Sequence, residues 1–230
     1  MLFRSVAVID APAAARMAVG EAITNLLAAD IANIQDIKLS ANWMAACGSA
    51  GEDAKLYDSV KAVGMELCPA LGISIPVGKD SLFMSSSWSE NHQSKKVIAP
   101  VSLIISAFAP VQDVRKTLTP LLKLKQQDGS ALDTELILID LGRGKNRMAA
   151  SILAQVLDQS GIAAPNLDHP KDLKSLAAAI KTLRDQDRIL AYHDRSDGGL
   201  LASIAEMAFA SHCGISINVD LIAEIGRAHV

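Results

Sequence analysis

Glu21 and Asn25 stand one helical turn apart in a stretch, 13–29, whose apolar residues Val19, Ile23, Leu26 and Leu27 recur at the helical period. Both side-chain oxygens can reach one hard cation from that spacing, and magnesium accepts a few protein oxygens while phosphates and water complete its octahedron. A solvated helix face has the same spacing. A second polar set, His193-Asp194-Arg195-Ser196-Asp197-Gly198-Gly199, lies between an apolar run and a helical one. There the free N–H groups and the macrodipole of a helix N-terminus favour anions, so a nucleotide phosphate with its metal would fit. Ser196 or Asp197 capping the helix, with His193 a satisfied core residue, explains the same pattern. The third set, Gly78-Lys79-Asp80-Ser81, offers a glycine for close approach, a cation, a carboxylate and a hydroxyl, suited to a phosphate, a metal or an ordinary polar turn. It is not a Walker loop, because five residues separate Gly72 from Gly78 and Asp follows the lysine. Gly142-Arg143-Gly144-Lys145 is also incomplete and reads as a strand-to-helix turn. No nucleophile and base pair is recognisable.

These residues need elements to carry them. A β-branched run at 6–10 reads as a strand, ended by Asp10-Ala11-Pro12 before the helix over 13–29. A short strand at 37–39 and a helix over 52–67 follow, then a strand at 73–77 leading into the loop 78–81. The polar stretch 85–96 reads as a hairpin or surface loop before a long strand at 97–109. A connection at 115–133 precedes a strand at 135–140, helices at 148–159 and 172–184, and a strand at 189–193. The last helix opens at 194–199 and ends near Cys213-Gly214, where Gly214 would supply a left-handed cap.

With 230 residues and 50% hydrophobic content, the chain can bury a large core, and disorder is excluded. Aromatic residues are only 3%, so the core is aliphatic and alanine-rich, which favours helices packed on strands. The fold class expected is α+β (mixed α/β), with more than one packing unit. A net charge of −3 lacks the basic footprint of a nucleic-acid binder. Cys47, Cys68 and Cys213 are odd in number with no close pair, so neither a disulfide framework nor a thiolate metal site is suggested, and a reducing cytosol fits. The apolar stretch 97–111, broken by Pro100, Ser102, Ser106 and Pro110, falls short of the ~20 residues that span a bilayer. The first ten residues lack the features of a signal peptide.

Val19-Gly-Glu-Ala-Ile-Thr-Asn25, Lys38-Leu-Ser-Ala-Asn-Trp-Met44, Gly51-Glu-Asp53, Pro76-Val-Gly-Lys-Asp-Ser81 and His193-Asp-Arg-Ser-Asp-Gly-Gly-Leu200 together resemble the large single-chain phosphoribosylformylglycinamidine synthase family of purine synthesis. The resemblance covers nearly everything from 6 to 220. It implies a cytoplasmic ATP-dependent ligase that converts formylglycinamide ribonucleotide to the amidine with glutamine-derived ammonia. It also implies an aminoimidazole ribonucleotide synthetase-like layout: 1–115 as the second synthase A domain, 116–133 as a connection, and 134–223 as the start of the second B domain. Residues 224–230 read as the translation of a sequencing adapter, so the natural protein is expected to be longer, with further synthase and glutaminase domains. Carried over by motif, Glu21, Asn25 and Asp194 match magnesium ligands and Ser196 matches a nucleotide contact of a site holding ADP. A further aspartate ligand of that site is expected upstream of this chain. Gly78 and Ser81 match a segment approaching ATP and substrate, although short relatives carry Asn where Lys79 stands. Phe83 occupies a place where the large family usually has a small polar residue.

Overall fold

The computed structural model describes residues 5–125, 128–195 and 198–218. Asp10 accepts a hydrogen bond from the Ala13 N–H (2.8 Å) and, with Pro12 in the first turn, starts the long helix α2, Ala11–Leu26. Before it, Val6–Ile9 forms one helical turn, α1, and not the expected strand. Val6 and Ala7 are buried there against Ala45, Val101 and Ala150, and this packing overrides the β preference of the run. Val19 and Ile23, continued by Leu27 just past the helix end, form the buried stripe of α2.

The sheet that α2 covers has strand order β2-β1-β5, with β1 (Lys38–Met44) in the centre. β2 (Ser74–Ser81) runs parallel to β1, and β5 (Ser102–Phe108) runs antiparallel on its other side. Along β1, Leu39, Ala41 and Trp43 alternate with Ser40 and Asn42, and Leu39 and Trp43 pack in the main core. The strand is therefore longer than the 37–39 that its apolar residues suggest. Residues 78–81 are a correction: they are not a loop beyond the strand but the second half of β2. Gly78 pairs with Ala41, Lys79 with Asn42 and Ser81 with Met44. A Cβ on Gly78 would stand 2.9 Å from the Ala41 carbonyl oxygen, so this glycine lets two backbones approach.

Between these strands, α3 (Glu52–Lys61) passes through a π-helical turn, Ala62–Leu67, into α4 (Cys68–Leu71), where one helix over 52–67 was expected. Pro69 has no N–H and crowds the preceding turn, which accounts for the wider winding before it. The hairpin expected in 85–96 is β3 (Ser85–Glu90) paired with β4 (Gln93–Ile98), and Asn91 and His92 carry the positive φ of a two-residue turn. The long strand expected over 97–109 divides at Pro100: Val97 and Ile98 belong to β4, and only the remainder is β5.

Farther on, α5 (Ile152–Val156) is shorter than the expected 148–159, because its first turn is fixed by Ser151 and Ala150 holds a positive φ. α6 (Pro170–Asp185) matches its expected span, and α7 (Gly199–Ser211) ends on His212 in the left-handed conformation, not on Gly214. Residues 135–140 and 189–193 form no strand among the described residues, since neither has a neighbouring ladder to fill its backbone groups. Leu173, Leu176 and Ile180 of α6 pack into the same core as Val19, Ile23, Leu67 and Leu71. One core therefore joins the two ends of this mixed α/β chain.

Candidate functional site

Helix α2 and the segment 193–194 border a cleft of about 470 Å³, within the range of small-ligand sites. Glu21, Asn25 and Asp194 all line it. The helical spacing of the first two and the position of the third beyond an apolar run thus bring three oxygen-bearing side chains to the lining of one cleft. The opposite wall is apolar, from Trp43, Leu103 and Ile105. Small side chains at Ala11, Ala14, Ala15, Ala18 and Ala22 keep the helical wall low, so the cleft owes its room to the alanine content of α2. Two carboxylates and an amide are hard donors that suit magnesium, and with phosphate oxygens they would complete its shell.

Of the other expected site residues, Gly78 and Ser81 do not line this cleft. They sit on β2, where Lys79 Nζ lies 3.4 Å from Ser81 Oγ. Ser196 lies outside the described residues. His193 borders the cleft and is hydrogen-bonded through Nε2 to Glu206 of α7 at 2.6 Å, which fixes the residue preceding Asp194. The Gly142–Gly144 turn is closed by the Asp140 carboxylate, which accepts from the N–H groups of Gly142 (2.9 Å) and Gly144 (2.8 Å). Burial pushes that carboxyl upward, but these donors and Arg195 outweigh it and hold it below the ordinary aspartate range. The turn is structural.

Two residues with no motif to announce them tie the C-terminal end of α2 to the later part of the chain. The Tyr192 hydroxyl donates to the Thr24 carbonyl (2.8 Å), in the turn of α2 that carries Asn25. Burial, reinforced by the Asp194 charge, pushes the phenol well above its ordinary range, so it is a donor at all physiological pH. Arg184 of α6 donates through Nη2 to the carbonyls of Leu27 (2.6 Å) and Ala28 (3.1 Å), capping the C-terminal end of α2, and lies 3.9 Å from the buried Asp30. Burial pulls the guanidinium below its usual range, with Asp30 opposing. Both contacts join residues far apart in the sequence through backbone carbonyls, which no spacing rule reads.

Among the described residues, no helix is long and apolar enough to cross a membrane, and no group of three His, Cys, Asp or Glu side chains gathers to hold a metal. The oxygen set at the cleft includes an amide and so stands apart from such groups. Comparison with known families gives two matches. Residues 4–110 match the FGAR-AT PurM_N-like domain, and residues 137–228 match the C-terminal domain of AIR synthase related proteins. These are the two domain types, in the order, that the sequence motifs imply.

Proposed function

We propose that this PurM-like module, a PurM N-like domain followed by an AIR synthase-type C-terminal domain, binds a magnesium nucleotide in the cleft between α2 and Asp194. The observation that carries the reading is the meeting of Glu21, Asn25 and Asp194, from opposite ends of the chain, along one cleft. The reaction it belongs to is the ATP-dependent conversion of formylglycinamide ribonucleotide to the amidine. ATP phosphorylates the amide oxygen, and glutamine-derived ammonia then displaces phosphate. Magnesium, when bound, supplies neutralisation of phosphate charge. Glu21, Asn25 and Asp194 would hold it, and the apolar wall at Trp43 and Ile105 would exclude water, while the nucleotide contact that the family resemblance implies for Ser196 lies outside the described residues. Gly78 and Ser81 would serve the substrate side from β2.

A second reading is favoured by the separation of Gly78 and Ser81 from this cleft. In it the nucleotide here is ADP kept as part of the structure, and turnover takes place elsewhere. Calorimetric titration of the chain with ADP, with magnesium and with chelator, tests the common part of both readings. Binding is expected to need magnesium and to weaken at least tenfold in Glu21→Gln. Equal binding with chelator present would overturn the magnesium assignment. This chain alone, read as a piece of a longer synthase, is expected to show no turnover; in the longer protein, ATP turnover that depends on formylglycinamide ribonucleotide and is lost in Ser81→Ala, with ADP binding intact, would favour the catalytic reading over the structural one.

A further inference from the structure

We propose that Tyr192 is a positioning residue for this site, its hydroxyl on the Thr24 carbonyl setting how far Asp194 stands from the Glu21 and Asn25 face of α2. The inference rests on the magnesium reading above and deepens it by naming what sets the selectivity for the cation.

Asp194 does not arrive on a paired strand. The segment before it forms no ladder among the described residues, and its backbone is tied through the Tyr192 N–H to the Thr119 carbonyl (3.0 Å). The Tyr192 side chain ties this segment directly to α2. The Tyr192 ring is rigid, packs against the main core, and ends in a hydroxyl on the carbonyl next in sequence to Asn25. The Thr24 hydroxyl in turn donates to the Glu21 carbonyl (3.0 Å), so both helix residues of the set lie within one turn of the anchor. Asp194 is two residues from the same tyrosine, too short a tether for much independent movement. The Tyr192–Thr24 hydrogen bond thus ties the Asp194 segment directly to the turn of α2 that carries Asn25, while the His193–Glu206 bond holds the same segment to α7.

Cations differ in what they ask of such a spacing. Magnesium requires near-ideal octahedral geometry at about 2.0–2.1 Å, whereas calcium accepts about 2.3–2.6 Å and irregular shells. Loss of the hydroxyl should therefore harm magnesium more than calcium. The experiment is Tyr192→Phe in the full chain, titrated with ADP in magnesium, in calcium and in chelator, with the melting temperature taken without ligand. Magnesium-dependent affinity is expected to fall about tenfold, the order of one net hydrogen bond, and calcium-dependent affinity to fall by less than half that factor. In chelator, the variant should bind no better or worse than the parent, which is itself expected to bind only weakly there. Equal losses in both metals, or an unliganded protein that melts far earlier, would overturn the proposal, because the hydroxyl would then serve the fold at large. Glu21→Gln run in parallel separates the levels. If it leaves magnesium-dependent binding intact, the site reading itself fails. If it removes that binding while Tyr192→Phe keeps the parent preference for magnesium, only the positioning role fails.

Discussion

Replacing Arg184 by Met isolates the energetics of the buried pair that fastens α6 to α2. The arginine and Asp30 side chains are 4% and 5% exposed, so neither charge has appreciable access to water. Met retains much of the arginine's apolar stem but leaves the Asp30 carboxylate buried and unpaired and the Leu27 carbonyl without its 2.6 Å donor. The Ala28 carbonyl keeps the Leu118 N–H at 2.8 Å and should contribute little to the loss. Breaking one partner of a buried ion pair costs about 3–5 kcal/mol, which is a large part of the ~5–15 kcal/mol that holds a domain folded. At this chain length each kcal/mol moves the melting temperature by roughly 2–4 °C, so a fall of roughly 6–20 °C is expected. The pair variant Arg184→Met with Asp30→Asn removes the stranded charge and leaves mainly one orphaned carbonyl, worth about 1–3 kcal/mol. The double variant should therefore be more stable than Arg184→Met alone by about 2 kcal/mol, and the two changes non-additive by at least that amount, because Asp30→Asn alone strands the arginine in turn. Urea unfolding of the parent, both single variants and the double variant completes the cycle. A loss below about 1 kcal/mol in Arg184→Met, or a double variant no more stable than that single one, would refute the account of this pair as a mutually dependent clamp.

Gly78→Ala should destabilise the fold by about 1–3 kcal/mol in urea unfolding, since the added Cβ would meet the Ala41 carbonyl oxygen at 2.9 Å and push the edge strand β2 off β1; a loss under about 0.5 kcal/mol would mean the strands have room. Arg147 and Lys145 hold the Asp168 carboxyl down at about 2, so its contribution is complete above the ordinary aspartate value of about 4 and is lost as pH falls through about 2. Asp168→Asn is accordingly expected to lower stability by about 1–2 kcal/mol at pH 7, after allowance for partial exposure, and to make no difference below pH 2, as read by acid titration of both proteins. Burial pushes the Cys68 thiol up to about 11, so iodoacetamide at pH 8 should leave it unmodified in the native chain and label it on unfolding, with mass spectrometry as the readout; prompt native labelling would show that the core opens there.

What could be read beforehand follows the range over which each determinant acts. Helix α2 was legible because its stripe and its Asp10 and Pro12 start are local, and the pairing of Glu21 with Asn25 came from the same periodicity. β1 was seen only in part, since Ser40 and Asn42 interrupt the apolar run while Ala41 and Trp43 continue the alternation beneath. Gly78 misled for the opposite reason: glycine usually marks a turn, but here it fills a place where two strands come too close for a side chain. At 6–9 and 135–140, β-branched composition alone could not show whether a neighbouring ladder would be present. The meeting of Asp194 with α2 had no local signal, and only the family resemblance placed these residues together. Tyr192 and Arg184 stayed out of view because each donates to a carbonyl far along the chain, and a carbonyl has no letter in a sequence.

The shared core also has a temporal side. Val19, Ile23, Leu67 and Leu71 await Leu173, Leu176 and Ile180, which leave the ribosome roughly seventy residues after the end of β5. At bacterial or eukaryotic synthesis rates of ~5–20 residues per second, that is an interval of roughly 3–15 seconds. During it the sheet and α2 can form their local contacts, but a strip of aliphatic surface stays uncovered on the nascent chain. Codon usage or pausing between 110 and 170 should therefore govern how long a growing polypeptide presents that strip to chaperones and to neighbouring chains.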